Sequence, residues 1–485
     1  MIMTSKSSTL ALAVLATLIP HAGHAQQHAS LDRFVGTWTG AIAPNPTIRL
    51  HLALTVTRDA SDGLVGVMTS LDQGNAKIPA TFRTNGDTLV VAMPAVHASY
   101  TGVLGAANDS LRGSFTQGTT MPLDMGRVVA LPVPDRPQEP KPPFPYRETA
   151  VSFESVPGVR LACTITMPFG AGPFPAVVMA TGSGAQDRNE ALLGHKPFLV
   201  ITDYLARHGI AALRCDDRGT AKSTGNFAAG TSADFANDAE ASVRYLRAQP
   251  GIDRDHVGML GHSEGGLIAP MVAARSADVA FIVLLAGPGL PGDSILLMQG
   301  KLIALAAGTP AGAVEQTTET NRRLFAALKT GTDLADGAAR VLAVEKTMVA
   351  ALTPEQQSMA AKRLDAVNTQ LFSPWMRYFI TYDPRPALRK VRVPVLAMDG
   401  ALDLQVPPGE DLAAIAAALK EGGNHDYRIV ELPKLNHLFQ TAATGSPAEY
   451  AQSNETFSPA ALEIIADWIN AHARAKPNSH RRTPT

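Results

Sequence analysis

The pentapeptide GHSEG at residues 261–265 restricts the fold of this chain more than any other feature of the sequence. It follows the apolar run at residues 257–260 and precedes an apolar helical segment that begins near Leu267. A turn this sharp from a strand to a helix leaves no space for flanking side chains, so it requires both glycines and pushes the serine outward. The sequence therefore predicts a strand-turn-helix unit that exposes Ser263.

Strands alternate with helices on both sides of this unit. Helical segments at residues 233–247, with Ser232 as the expected N-cap, and at residues 460–473 separate some of the apolar runs. Fully apolar strands joined by helices are typical of a parallel sheet that is covered on both faces. The predicted strands are residues 175–180, 210–213, 257–260, 281–285, 394–398 and 427–432.

The connection between two of these strands, about residues 290–390, is much too long for a simple loop, which usually spans 2–6 residues. Its apolar residues recur at helical spacing. We therefore expect a helical cap that is inserted over the sheet.

The part of the chain before the sheet has a different pattern. Residues 48–56 and 88–93 alternate apolar and polar side chains, and turn-forming residues such as those at 85–87 follow such runs, which predicts a small antiparallel β domain. Seven prolines at residues 132–146 predict a stiff, extended linker. The expected organisation is a signal peptide (1–25), a β domain (31–130), a linker (131–146), an α/β domain (147–475) and a disordered tail (476–485).

The first residues have the layout of a secretory signal peptide. Lys6 precedes an apolar run at residues 10–19, and small residues end at Ala25, where we expect cleavage. The run is about half the roughly 20 residues that a spanning helix needs, so we expect no stable membrane anchor. The predicted location is the periplasm or the medium.

The composition and the absence of several motifs argue against some classes of function. A formal net charge of −1 gives no basic surface for nucleic acid. No HExxH, P-loop or strand-anchored GxGxxG motif is present, and two cysteines cannot form a zinc site alone, so no metal or other cofactor is indicated. Whether Cys163 and Cys215 form a disulfide stays open at this point.

A serine hydroxyl needs a general base, and the base needs an acid that fixes its tautomer; both must follow the serine in the order acid, histidine. Asp403 follows the predicted strand at residues 394–398, and His437 follows the one at 427–432. Both loops leave the carboxyl ends of their strands, where such sheets bind ligands. We predict Ser263 as the nucleophile, His437 as the base and Asp403 as the acid, with Asp399, at the strand terminus itself, as the alternative acid.

An acyl-transfer site also needs two backbone N–H donors for the oxyanion. We predict the N–H groups of Glu264 and of Ser183, in the loop after the first strand of the sheet. Asp187 and Glu190 in the same loop could hold a substrate amino group, or could form ion pairs with neighbours such as Arg188.

Four aromatic residues of the cap suggest a substrate pocket. Trp375 and Phe379 are the tentative substrate-binding residues, with Phe372 and Tyr378 beside them. An aromatic stripe of this kind can line an apolar acyl pocket, or it can pack the cap onto the core. Both interpretations remain open here.

Several motifs resemble a known family. Residues 180–190 (ATGSGAQDRNE), 216–219 (DDRG), 261–266 (GHSEGG) and 374–379 (PWMRYF) are similar to bacterial α/β-hydrolases of the serine aminopeptidase-like and esterase group. The resemblance covers about residues 147–475. Residues 31–130 resemble the small lipocalin-like β domain that precedes some of these hydrolases.

The resemblance implies an α/β-hydrolase fold with an inserted cap and a hydrolysis that proceeds through an acyl-enzyme. We expect a small ester as the substrate and a carboxylic ester hydrolase as the activity. The first alternative is a serine aminopeptidase or dipeptidyl-peptidase-like enzyme that cleaves short peptides. The second, from a different class, is a non-catalytic periplasmic binding protein.

Overall fold

The computed structural model describes residues 31–45, 48–71, 76–131, 136–350 and 371–474, with the single residues Thr353, Gln357 and Asn368. Residue contacts divide the chain into two compact units, Met1–Pro132 and Val133–Thr485. The expected signal peptide at residues 1–25 and the expected tail at residues 476–485 lie outside the described residues, as does part of the expected linker.

The first unit is an antiparallel β-barrel. Its sheet has the strand order β6-β5-β4-β3-β2-β1-β9-β7-β8, and an additional pairing of β6 with β7 closes eight of the nine strands into a ring. The predicted antiparallel β domain is thus confirmed as a fold class. The strands are β1 (Gly36–Asn45), β2 (Ile48–Arg58), β3 (Leu64–Ser70), β4 (Ala76–Asn85), β5 (Thr88–Met93), β6 (Ala98–Leu104), β7 (Ser110–Gln117), β8 (Thr119–Pro122) and β9 (Met125–Val128).

Apolar side chains fill the interior of this barrel. Every second residue of β6 is buried, because successive side chains of a strand point to opposite faces. Trp38 and Tyr100 are fully buried, and each ring has a hydrogen bond for its polar end, to the carbonyl oxygens of Phe34 (3.0 Å) and Leu111 (3.2 Å). The guanidinium of Arg127 lies 4.0 Å from the centre of the Trp38 ring. The barrel therefore has a packed core of its own.

The second unit contains an eight-stranded sheet in the order β10-β11-β13-β12-β14-β15-β16-β17. Strand β11 pairs antiparallel with β10 and with β13. All later neighbours in this order, from β13–β12 to β16–β17, pair in parallel. The six predicted apolar strands are β12 to β17, and the hairpin β10–β11 is an addition at one edge. The strands are β10 (Tyr146–Val156), β11 (Val159–Pro168), β12 (Phe174–Ala180), β13 (Ala211–Cys215), β14 (Ile252–His262), β15 (Ile282–Leu285), β16 (Val395–Gly400) and β17 (Tyr427–Leu432).

Helices connect the parallel strands, as the alternating pattern predicts. Among the described residues, no helix combines the length and the apolar character that a bilayer crossing needs. The helices are α1 (Pro197–Arg207), α2 (Ser232–Arg247), α3 (Glu264–Ala273), α4 (Gly292–Ala306), α5 (Ala311–Lys329), α6 (Leu334–Ala350), α7 (Pro374–Thr381), α8 (Arg385–Leu388), α9 (Pro408–Glu421) and α10 (Pro459–Arg474).

Both faces of the sheet are covered. Val178 belongs to an apolar cluster that includes residues of α2, α3 and α9, whereas its neighbour Val177 belongs to a second cluster with α1 and α10. Burying one valine side chain contributes roughly 1.5–3 kcal/mol, and most central strand residues contribute in this way. The predicted α/β-hydrolase sheet with helices on both faces is confirmed.

Helices α4 to α8 lie in the long connection between β15 and β16, the region of the expected cap. Leu324, Leu328 and Val341 from α5 and α6 form a small separate core with Met376 and Ile380 from α7. Because these residues pack with one another, the cap has internal structure in addition to its contacts with the sheet.

Helix α2 begins with a different cap from the expected one. Thr231, rather than Ser232, is the N-cap; its hydroxyl accepts the N–H of Asp234, whose carboxylate in turn accepts the N–H of Thr231. This reciprocal capping box satisfies two helix donors. The hydroxyl of Ser232 is consequently free to donate to Glu264, 2.6 Å away.

Cys163 and Cys215 form a disulfide between β11 and β13. The two residues are register partners on adjacent antiparallel strands, so their side chains lie on the same face of the sheet. The link joins the edge hairpin to the parallel part of the sheet across a sequence separation of 52 residues.

The described end of the proline-rich segment is attached to the second unit. The guanidinium of Arg136 donates to the carbonyl oxygens of Ala451 (3.0 Å) and Ser453 (2.6 Å). Gln138 donates to the carbonyl oxygen of Phe457 and accepts the N–H of Thr456. Polar side chains between the prolines therefore hold this stretch against the α/β unit.

Candidate active site

Ser263 lies in the turn between β14 and α3 with a φ of 52° and a ψ of −116°, and its N–H donates to the carbonyl oxygen of Leu285 at 2.8 Å. A Cβ on Gly261 would lie 2.0 Å from the carbonyl oxygen of Gly265, and one on Gly265 would lie 2.0 Å from that of Ala180. Both glycines are therefore required here, as the pentapeptide predicts.

His437 and Asp403 are in direct contact. Nδ1 of His437 lies 2.6 Å from Oδ2 of Asp403, and Oδ1 of Asp403 accepts the N–H groups of Gln405 (2.6 Å) and Val406 (3.0 Å). Both side chains are buried. A carboxylate held in this way keeps the proton of the imidazole on Nδ1 and leaves Nε2 available as a base.

Asp399, the alternative acid, has a different environment. It lies at the end of β16, where its Oδ1 accepts the N–H of Gly400 at 2.7 Å. Burial and the neighbouring Asp403 raise the pKa of Asp399 well above its usual range. Burial and Asp403 thus disfavour the charged form of Asp399, and Asp403 is the carboxyl group that contacts the histidine.

A cavity of about 250 Å³ brings the remaining site residues together. Asp403 lies behind His437 and is not part of the lining. Phe372 and Tyr378 are not part of it either: Phe372 packs into the core of the cap, and Tyr378 stacks on Tyr382 with ring centres 5.6 Å apart. The residues that the sequence singled out and that line the cavity are Ser183, Glu190, Ser263, Glu264, Trp375, Phe379 and His437.

The loop after β12 supplies candidate donors for an oxyanion. The N–H of Gly182 is engaged, because it donates to Oε1 of Glu190 at 2.6 Å. Ser183, the next residue, lines the cavity together with Glu264, the first residue of α3. The use of the Ser183 and Glu264 N–H groups as oxyanion donors stays a prediction.

Asp217 anchors this loop at two points. Its carboxylate accepts the hydroxyl of Thr181 at 2.8 Å and the N–H of Gln186 at 2.9 Å. Burial raises the pKa of Asp217 to about 7. Sequence reasoning missed this role, although the DDRG motif that contains Asp217 is one of the family motifs.

The two acidic residues considered for amine binding both have structural partners. Asp187 accepts the N–H groups of Asn189 and Ala191 and so caps a turn of its own loop. Arg188, the expected ion-pair partner, instead pairs with Asp216 at 2.7 Å. Glu190 faces His262, the residue that precedes the nucleophile, with 3.0 Å between Oε1 and Nδ1. Arg188 is thus not the ion-pair partner of either residue in the described part of the chain, and the group that faces Glu190 is His262.

Glu264 is the second carboxyl group that lines the cavity, besides Glu190. It is 2% exposed, and its Oε1 accepts the hydroxyl of Ser232 (2.6 Å) and the indole N–H of Trp375 (2.8 Å). Burial raises the pKa of Glu264. In the ranges that the structure describes, no group of three or more His, Cys, Asp or Glu side chains is arranged to hold a metal ion.

Comparison with known families agrees with this architecture. Residues 157–437, more than half of the chain, match the family described as X-Pro dipeptidyl-peptidase (S15 family). The chain belongs to the S15 family. The matched part of this S15 protein contains Ser263, Asp403 and His437.

The S15 protein is also similar to an esterase. It is 25% identical to esterase EstD of Thermotoga maritima over 332 residues, which cover 67% of this chain and 68% of that protein. One similar solved structure is the α/β hydrolase GrgF from Penicillium sp. sh18, with 16% identity, a TM-score of 0.43, and a match that covers 67% of this chain and 99% of that one. Another is Est1E from Butyrivibrio proteoclasticus with bound ferulic acid, with 17% identity, a TM-score of 0.38, and a match that covers 67% of this chain and 98% of that one. The family match and the similarity to esterase EstD make the chain a hydrolase of the S15 and esterase group.

Proposed function

We propose that this S15 protein hydrolyses carboxylic esters through an acyl-enzyme intermediate, with Ser263 as the nucleophile. The main support is the 2.6 Å contact between His437 and Asp403, in the same site as a serine that lies in a sharp turn and lines the cavity. A serine in such a turn, with a base oriented by a buried carboxylate, is suited to attack on a carbonyl carbon.

The proposed reaction has two halves. Nε2 of His437 takes the proton of Ser263 as Oγ attacks the carbonyl carbon, and Asp403 stabilises the imidazolium that forms. The N–H groups of Ser183 and Glu264 are the proposed donors to the oxyanion. The intermediate collapses when the alcohol leaves with the proton from His437. Water, activated by the same histidine, then cleaves the acyl-serine bond and releases the acid.

The carboxyl groups around the cavity favour an ester over an amino-terminal peptide. A peptidase that holds a substrate ammonium group needs a carboxylate whose charge is not already matched. Glu190 faces His262 and accepts the N–H of Gly182, and Glu264 accepts two protein donors. Much of the remaining lining is apolar, including Ile295. A neutral acyl group suits these surroundings best.

The peptidase alternative has support from the family description, so the test compares the two activities directly. Esters are chemically more reactive than anilides, and the deciding pair is therefore propionyl and alanyl p-nitroanilide, which differ by one amino group. We expect turnover of p-nitrophenyl esters of short acyl chains and no preference for the alanyl anilide. A preference above about tenfold for alanyl or alanyl-prolyl anilide would overturn the ester proposal, since it equals roughly 1.4 kcal/mol of amine recognition.

Ser263→Ala is the control for these assays. A fluorophosphonate probe should label the wild-type protein and not the variant, and hydrolysis should fall by several powers of ten with the fold retained. If the folded wild-type protein were not labelled, the non-catalytic binding protein would become the better interpretation.

We also propose that the mature protein works in the periplasm or the medium. The support beyond the leader pattern is the Cys163–Cys215 disulfide, since disulfides persist in oxidising compartments and are rare in the cytosol. Amino-terminal sequencing of the protein from its native host should give a chain that starts near residue 26. An intact amino terminus on a cytosolic protein would contradict export.

A further inference from the structure

Glu190 is a buried carboxyl group at the junction of three active-site segments. It is 4% exposed. Its Oε1 accepts the N–H of Gly182 at 2.6 Å, in the loop after β12, and lies 3.0 Å from Nδ1 of His262, at the end of β14. One oxygen atom therefore joins the predicted oxyanion loop to the strand that carries the nucleophile.

His262 continues this connection to the catalytic base. Its Nε2 lies 3.0 Å from the backbone oxygen of His437. A carbonyl oxygen only accepts hydrogen bonds, so Nε2 of His262 must carry a proton. The result is a hydrogen-bond network that runs from Gly182 through Glu190 and His262 to the loop of His437.

Glu190 and the surrounding protein also shift the pKa of His262. Burial by itself lowers the pKa of His262, but the charge of Glu190 and hydrogen bonds to Glu190 and the His437 carbonyl outweigh burial and raise it. This direction favours the protonated form of His262, in which Nδ1 donates to Glu190 and Nε2 donates to the carbonyl oxygen of His437. A buried ion pair of this kind has a strong geometric preference, because each of its hydrogen bonds is charge-assisted.

We propose that Glu190 and His262 are positioning residues that hold the oxyanion loop and the His437 loop in register with Ser263. The proposal rests on the proposed serine-hydrolase function and adds two residues to it. Neither side chain reacts. Both act by fixing groups that stabilise the transition state of the attack rather than the bound substrate, so their loss should lower kcat and leave KM nearly unchanged.

An alternative role for Glu190 is to bind a substrate amine. Its Oε2 has no hydrogen-bond partner among the described residues, and Glu190 lines the cavity. In that role the loss of the carboxylate would raise KM for substrates with an amino group and leave KM for simple esters unchanged. A positioning role thus predicts a lower kcat for simple esters, whereas amine binding predicts a higher KM for substrates with an amino group.

The test uses Glu190→Ala, Glu190→Gln, His262→Phe and the double variant Glu190→Ala/His262→Phe, assayed with a short-chain p-nitrophenyl ester. We expect kcat to fall about 100-fold in the Ala and Phe variants, the loss typical of a misplacement near 1 Å. KM should stay within about threefold. Glu190→Gln should recover at least tenfold over Glu190→Ala, because its amide oxygen can accept from the same donors.

The double variant shows whether Glu190 and His262 affect kcat through one hydrogen-bond network or independently. If Glu190 acts through His262, removing both should cost little more than removing one, whereas independent effects multiply. The affinity of an alkyl boronic acid, which forms a tetrahedral adduct with the serine, should fall by the same factor as kcat/KM. A proportional loss of this kind does not follow from lower stability alone.

Asp238→Asn is the matched control. Asp238 is a buried carboxylate that pairs with Arg218 at 2.7 Å, and its loss should lower the melting temperature and leave kcat near that of the wild type. Unchanged kcat in the Glu190 and His262 variants, or a rise confined to KM, would overturn the proposal. If the Ala variant failed to fold, Glu190→Gln and the boronic acid titration would still decide. Labelling of the wild type by a fluorophosphonate reports separately on the proposed function.

Discussion

Ser263 has a backbone conformation that residues other than glycine seldom adopt, with φ at 52°. Such a conformation costs roughly 1–3 kcal/mol and persists only where the surroundings enforce it. Here the enforcement comes from the hydrogen bond to Leu285 and from the close approach of Gly265 to the end of β12. The GHSEG motif is therefore informative because it encodes a constraint on the backbone as well as a reactive side chain.

The first prediction concerns the choice of acid. Asp403→Asn should lower kcat by roughly 10⁴, because an amide favours the wrong tautomer of His437. Asp399→Asn should have a mild effect, since the carboxyl group that contacts His437 is that of Asp403 and an amide has nearly the same shape as a carboxyl group. Both variants should be compared on one ester at one pH. A crippled Asp399→Asn beside a near-normal Asp403→Asn would assign the acid to Asp399.

The second prediction concerns stability and pH. Oδ1 of Asp411 accepts the N–H groups of Gly289 and Leu290, and burial raises the pKa of Asp411 to about 7. Between about pH 4 and pH 7 the folded protein thus holds a proton that the unfolded chain has lost, so stability falls as the pH rises through this window. The slope from one such group reaches at most about 1.4 kcal/mol per pH unit.

Asp411→Asn should remove this contribution and keep the acceptor. Relative to the wild type, the variant should therefore gain stability on going from pH 4 to pH 8, as measured by denaturant unfolding at several pH values. Parallel profiles for the two proteins would mean that Asp411 is ionised throughout this range in the folded state.

At the scale of elements, helix α7 connects the cap to the nucleophile turn. The indole N–H of Trp375 donates to Glu264 at 2.8 Å, and the Trp375 ring stacks on Phe379 with centres 5.2 Å apart. Glu264 begins α3 directly after Ser263, so this hydrogen bond fixes one wall of the cavity relative to the reacting atom. The cap should therefore control which acyl groups fit.

The third prediction tests this control with Trp375→Phe, which keeps an aromatic ring and removes the hydrogen bond. KM for hexanoyl and octanoyl esters should change by about tenfold, and KM for acetyl esters should change less, because a pocket contact is worth about 1–3 kcal/mol. Tyr378→Phe is the control, since Tyr378 lies on the same helix and outside the cavity lining. Equal shifts for all chain lengths would contradict a role in acyl selection.

The elements differ in how well the sequence predicts them. Strands β12 to β16 are largely buried, and such strands are recognisable as apolar runs. Strand β17, at the edge of the sheet, is only partly buried. In the hairpin β10–β11 one face is more exposed than the other, as the alternating burial of β11 illustrates. These two strands were not among the predicted ones. The contact between Glu190 and His262 joins residues 72 positions apart, and no local pattern encodes a pairing at that distance.

At the scale of the whole molecule, each of the two units has its own buried core. Trp38, Tyr100 and Met68 belong to the cluster of the barrel, and the clusters of the α/β unit include none of the barrel residues. A separate core is the usual condition for independent folding. Ser263, Asp403 and His437 all belong to the second unit.

The fourth prediction follows from this division. A chain that starts at residue 133 should fold and should hydrolyse a small soluble ester at a rate similar to that of the full chain. A chain that starts at residue 147 should melt at a lower temperature, because it lacks the hydrogen bonds of Arg136 and Gln138. A folded but inactive truncation at residue 133 would indicate that the barrel contributes to catalysis.

The Cys163–Cys215 disulfide also decides how the sheet can open. Strands at an edge exchange their amide hydrogens through local unfolding that need not involve the centre of the sheet, and the disulfide covalently closes that route for the β10–β11 hairpin. In a chain-entropy treatment, a closed loop of 52 residues is worth roughly 4 kcal/mol. The fifth prediction is that reduction, or Cys163→Ser with Cys215→Ser, selectively accelerates hydrogen exchange in the hairpin while β14 to β16 stay protected. The disulfide would then prevent local unfolding at one edge of the domain, and without it the hairpin would unfold well before the centre of the sheet.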